Sequence, residues 1–196
     1  MPDYKMAKSF FTDFQGIFLP GSERYAEAIK IYQYNKAFTV FIVKEINNII
    51  EKYGYIPQNE YFRIDAIGYC SRYKELEGSK LNPYLWDLKV AVEHENNDMD
   101  WLDEVIKLAH ICCPLRVVIG YLPAKKRYQE IEYLSNAADA LEKVECRYNL
   151  QHGEFMVILG NSRVDEQKDY FSYRAYVLQE NAGHFKFCPL EEVEKK

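Results

Sequence analysis

The stretch from Leu85 to Leu122, LWDLKVAVEHENNDMDWLDEVIKLAHICCPLRVVIGYL, constrains the fold more than any other part of the chain. It reads as a strand, a short acidic turn, an amphipathic helix and a second strand. The last segment, LRVVIGYL, is almost wholly apolar, the pattern of a strand covered on both faces. Strand, helix and strand in that order pair in parallel through a crossover, so the chain must build a sheet with helices packed against it. The first of these strands carries an anomaly, Glu93 and Glu95 in an otherwise apolar run. Side chains of a strand alternate faces, which puts Glu93 and Glu95 on one face and Val90, Val92 and His94 on the other. Two acids on one face repel each other unless something positive lies between them, and a metal ion meets that need.

Upstream, Phe10, Phe11, Phe14 and Phe18 precede a Pro20-Gly21-Ser22 punctuation, with Ser22 a helix start. Helical periodicity then runs to about Tyr53, with a break near Tyr34 and Asn35. Its clearer part, Lys36 to Glu51, sets Phe38, Phe41, Ile42, Ile46, Ile49 and Ile50 in one stripe. Glu45 falls within that stripe, so it lies at the rim of the packing face or has a partner inside. Gly54 and Pro57 close the helix. Residues 61 to 70, YFRIDAIGYC, read as a strand, with Asp65 inside it although Asp is disfavoured there. A charged, turn-rich connection, 71 to 83, leads to the strand Leu85 to Glu95, which returns antiparallel as a long hairpin. The helix from about Asp100 to Ile111 has Asp98 or Asp100 as N-cap and buries Trp101, Leu102, Val105, Leu108 and Ala109. A further amphipathic helix, 124 to 144, opens with Lys125, Lys126 and Arg127. EFMVILG (154 to 160) and YFSYRAYVLQ (170 to 179) then read as two strands joined by a polar loop.

At 196 residues the chain suits a single α/β domain, 1 to 196. Its longest apolar runs fall far short of the roughly 20 residues of a membrane span, and the N-terminus lacks the layout of a signal peptide. A cytoplasmic protein with no membrane partner is expected. Five cysteines without CxxC or zinc-like spacing fit reduced, mostly buried thiols. The net charge of −5 does not announce a nucleic-acid binder, but a metal enzyme must concentrate carboxylates. The 17 Tyr and 11 Phe offer rings that could stack on bases, although core packing accounts for most of them more simply.

The antiparallel return sets the start of the strand that holds Asp65 beside the end of the strand that holds Glu93 and Glu95. Three carboxylates converging in this way suit Mg²⁺ or Mn²⁺ rather than zinc, a cofactor able to activate water against a phosphodiester. At this point the pattern resembles the PD-(D/E)XK nuclease superfamily. Arg63-Ile64-Asp65 looks like its Asp segment, and Val92-Glu93-His94-Glu95-Asn96 like its acid-x-Lys segment, with Glu95 in the lysine position to give E-x-E. The resemblance covers about 36 to 122. It implies a restriction endonuclease-like core of αβββαβ type, a mixed central sheet flanked by helices, with 123 to 196 as a C-terminal helix and β-hairpin extension.

It further implies a Mg²⁺-dependent endonuclease acting on nucleic acid, with DNA the expected form and a homodimer compatible with cutting both strands. Asp65, Glu93 and Glu95 would be catalytic, and Asp65, Glu93 and Glu45 would be metal ligands, Glu45 because the superfamily often adds an acid from its first core helix. Lys107 on the following helix is a candidate displaced lysine, although it shares a polar stripe with Asp103, Glu104 and His110 that suits a solvated face. Lys89 lies roughly 13 Å along the strand from Glu93 at ~3.3 Å per residue and is a poor substitute. Lys125, Lys126 and Arg127 would touch flanking phosphates, and His94, which alternation turns away from Glu93 and Glu95, is structural or supports the site residues rather than acting in catalysis. Two other readings stand beside this one. In the first, a nuclease-fold protein without activity serves as a nucleic-acid-binding or protein-interaction module. In the second, an unrelated α/β protein pairs its acids with Arg63, Arg116 or Lys89.

Overall fold

The structure, a computed structural model, describes residues 3–70, 87–97, 100–145, 147–161 and 171–193. The expected connection 71 to 83, Asp98 as an N-cap, and most of the polar loop before 170 lie outside the described residues. Among those described, the elements in chain order begin with α1 (Lys5–Ile17), α2 (Glu23–Ile31) and α3 (Asn35–Lys52), followed by β1 (Ile56–Tyr61), β2 (Ile64–Tyr69) and β3 (Leu88–His94). Then come α4 (Trp101–Ala109), β4 (Leu115–Leu122), a 3₁₀ helix (Ala124–Gln129), α5 (Glu130–Lys143) and α6 (Arg147–Gln151). The chain finishes with β5 (Glu154–Asn161), β6 (Arg174–Asn181), β7 (His184–Pro189) and α7 (Leu190–Val193).

The fold is α/β, and the described residues build one open, mixed sheet of seven strands in the order β1-β2-β3-β4-β5-β6-β7. Only β3–β4 and β4–β5 pair in parallel, and the two outer pairs on each side are antiparallel. The parallel centre is where the most apolar segments belong, because it is covered on both faces. Every residue of β4 is buried. One core lies between the sheet and α1, α2 and α3, the other between the sheet and α4 and α5.

Local chemistry explains where these elements begin and end. Ser22 caps α2 by accepting the Tyr25 N–H, satisfying one of the free donors of the first turn. Asp100 occupies the N-cap position of α4 without a side-chain capping bond. A distant residue does the capping for α1, where the Glu154 carboxylate at the start of β5 accepts the Met6 and Ala7 N–H groups at 3.2 and 2.6 Å.

Several expected boundaries shift. Tyr61 ends an additional strand, β1, and residues 62 and 63 are a turn rather than the first part of the expected strand. With Pro57 and no buried side chain, β1 is an edge strand that lacks an apolar alternation. The expected helix 124 to 144 opens as a 3₁₀ turn and becomes α-helical only from Glu130. The expected C-terminal pair gains a third strand, β7, and all three continue the central sheet. Among the described residues no helix is long and apolar enough to cross a membrane.

Candidate active site

The antiparallel register of β2 and β3 sets Ala66 against Val92 and Ile67 against Ala91, and the same register carried one step further sets Asp65 against Glu93. The two carboxyl groups are close enough for the charge of Asp65 to act on Glu93. Asp65 is held by the His94 N–H, which donates to its Oδ2 at 2.8 Å. Glu93 is buried, with 2% of its surface exposed, because α4 covers this face of β3. From α4, the Lys107 Nζ reaches to 2.7 Å from Glu93 Oε1 and 2.5 Å from Glu104 Oε2. It also donates to the Arg63 carbonyl at 2.9 Å. A single ammonium thus ties α4 to β3 and to the turn between β1 and β2.

Burial dominates the electrostatics of these groups. It pushes the Glu93 carboxyl up to about 8; the Lys107 hydrogen bond opposes the shift, and the Glu104 and Asp65 charges add to it. Asp65 is raised as well, by burial first, with the His94 amide and the Lys107 charge pulling the other way. Burial would lower the lysine, but its bonds to Glu104 and Glu93 outweigh that effect and raise it. Near neutral pH the cluster is therefore a facing acid pair that shares less than two negative charges beside a fully charged ammonium.

Comparison of the chain with family models, curated proteins and solved structures finds no match in any of the three.

The structure distributes the expected site residues unevenly. It sets Asp65 against Glu93 and brings Lys107 onto Glu93, so Lys107 does not simply project into solvent as its stripe suggested. Glu95 follows the end of β3, and its carboxylate accepts the Asn97 N–H at 2.7 Å. Glu45 is buried but packs on the opposite side of the sheet, its Oε2 3.3 Å from Arg24 Nε. There it joins the core made by Ile42, Ile46, Val90 and Val92, whereas Glu93 points with Ala91 towards α4. Among the described residues no group of three or more His, Cys, Asp or Glu is arranged to hold a metal ion.

The other sequence candidates divide in the same way. Lys89 pairs with Asp87. The Arg116 guanidinium is fully buried and donates to the carbonyls of Ile111, Asn149 and His152. His94 faces the other core, with its Nε2 2.9 Å from the Tyr121 hydroxyl. Lys126 is half-buried in the 3₁₀ helix, and the side chains of Lys125 and Arg127 lie outside the described residues. Two participants escaped the sequence reading. Glu104 had a signal, its i, i+3 spacing to Lys107. The His94 amide that fixes Asp65 had none, because it belongs to the backbone.

A pair of facing hard-oxygen ligands fits Mg²⁺ or Mn²⁺, since Mg²⁺ is usually bound through one or two carboxylates with waters and substrate phosphate completing the shell. The His94 amide is the kind of outer partner that orients such a ligand. Glu93 Oε1 is engaged by the Lys107 ammonium at 2.7 Å, and a carboxylate keeps further lone pairs that a cation could use. Beside the pair, Asp65 also lines an open groove of about 510 Å³ between α3 and the β1–β2 hairpin, with Thr39, Lys44, Asn47 and Asn59 among its walls.

Proposed function

We propose that the chain is a metal-dependent nuclease that hydrolyses phosphodiester bonds in nucleic acid, with DNA the expected substrate. The observation that carries this reading is the trio Asp65, Glu93 and Lys107, two facing acids with one ammonium 2.7 Å from the second. The element order from α3 through β1, β2, β3 and α4 to β4 supports the resemblance to the PD-(D/E)XK superfamily. Lys107 offers the positive group that Glu95 cannot.

Asp65 and Glu93 would hold Mg²⁺ or Mn²⁺. When bound, that ion would polarise the phosphate and lower the pKa of a water. Asp65 arrives pre-oriented by the His94 amide. Glu93 must give up its proton to act as a ligand, and Lys107 favours that ionised form. The Lys107 ammonium, 2.7 Å from Glu93, would face the phosphate and the charge that develops on it. Glu95, whose carboxylate accepts the Asn97 N–H at 2.7 Å, would orient or deprotonate that water.

The test is cleavage of plasmid and oligonucleotide substrates with Mg²⁺ or Mn²⁺. Asp65→Ala and Glu93→Ala are expected to abolish cleavage. Lys107→Ala should lower the rate by about 10²–10³-fold, the cost of removing one pre-organised electrostatic group. Glu45→Ala should leave it within a few-fold, because Glu45 lies across the sheet. Cleavage that persists in both acid variants would overturn the assignment. The observation that Glu95 stands in the lysine position and bonds the Asn97 amide favours a second reading, a nuclease-fold protein that binds nucleic acid without cutting it. Tight binding with no cleavage in either metal would select that reading.

A further inference from the structure

The hairpin between β1 and β2 turns in a manner that its sequence should resist. Tyr61 pairs with Ile64, so Phe62 and Arg63 alone make the turn, with φ of +49° and +63°. Glu60, just before it, is also left-handed, at +53°. Two-residue hairpin turns with both φ values positive are ordinarily made by Asn-Gly or Asp-Gly, and a bulky residue at positive φ is an outlier. Such outliers cluster where function needs the side chain displayed. The ring displayed here is Phe62, 78% exposed, held edge-to-face against Tyr61 with centroids 4.7 Å apart. No core needs it.

The tip is also fixed to the acid pair, since Lys107 bonds the Arg63 carbonyl and Glu93 together. The inner flank of the same hairpin, through Asn59, Glu60 and Asp65, walls the open groove beside the site. We propose that Phe62 is a stacking platform for an unpaired base next to the scissile bond. The inference rests on the nuclease reading and narrows its substrate to nucleic acid that is single-stranded or opened at the cut. An exposed ring on a rigid arm suits this role, because stacking accepts any base but requires that the base be out of its duplex.

Binding of short fluorescent single-stranded and duplex oligonucleotides to the full chain in EDTA tests this, alongside metal-dependent cleavage. Phe62→Gly should weaken single-strand binding about tenfold, the loss of one base–aromatic stack. It should change duplex binding less than about twofold and leave Tm equal to or above wild type, because glycine accepts positive φ freely. Phe62→Trp should keep single-strand binding, with its added fluorescence quenched by the oligonucleotide. Unchanged single-strand binding in Phe62→Gly would overturn the platform while leaving the nuclease reading intact. Weakening that comes with a lower Tm and is not restored by Trp would overturn it too, by making the ring part of the fold. If wild type neither binds nor cuts either substrate, the nuclease reading fails and the platform fails with it.

Discussion

At the scale of single residues, Glu93 is the most informative group, because its environment sets a measurable sign. Its carboxyl is moved by burial from an ordinary 4.5 to about 8. Across that window the folded chain binds a proton that the unfolded chain does not, so stability falls as pH rises. The Asp65 shift has the same direction and adds to the slope. The raised Lys107 contributes stability that is fully present below the ordinary lysine range and is lost only above it, outside this window. Melting curves in EDTA should therefore show the wild-type Tm dropping steadily from about pH 5 to about pH 8, and Glu93→Gln should be flatter and the more stable of the two near pH 8. A wild-type Tm that stays level across this range would mean that Glu93 is ionised throughout.

At the scale of elements, the site depends on how closely α4 lies on the sheet. The contact is made by Trp101, fully buried on β4 at Gly120, where an added Cβ would sit 2.5 Å from the indole Cγ. Gly120→Ala must push the ring and its helix outward, at about 1–3 kcal/mol for an overpacked core. Lys107, two turns along the same helix, moves with it. Chemical denaturation should show the stability loss, and cleavage should fall in Gly120→Ala beyond what the folded fraction accounts for. Unchanged cleavage per folded molecule would uncouple Trp101 packing from the site. Amphipathic α3, α4 and the apolar β4 were legible because their periodicity is strong, and Asp65 and Glu93 were legible as acids in apolar strands. The edge strand β1 was not, because a strand with one free edge needs no apolar face along its length. Nor was the position of Glu45 or Lys107. Helical periodicity tells which stripe a residue occupies, but which face of the sheet that stripe covers is settled by tertiary packing.

At the scale of the whole molecule, the segment that carries the acids cannot stand apart from the rest. β5 pairs with β4 along its full length, Leu115 against Glu154 through Leu122 against Asn161, and β6 and β7 extend the same sheet. α1 is anchored by the Glu154 carboxylate from β5, and its phenylalanines share one core with α3, β3 and β5. Beyond β5, Arg174 on β6 holds the buried Glu130 through both carboxylate oxygens, with the Tyr176 hydroxyl on the same group. Cutting the chain at about 122 would expose the edge of β4, a row of unpaired amides and carbonyls on an apolar strand, which is a template for aggregation. It would also strip about half of the core under α4 and α5 and the β5 and β6 side of the other. The full chain should therefore unfold in one transition, with fluorescence and far-UV circular dichroism coincident, while a fragment spanning 36 to 122 should be insoluble or unstructured. A folded, monomeric 36–122 fragment would show instead that the acid-bearing core is an independent unit and that the C-terminal strands are an accessory to it.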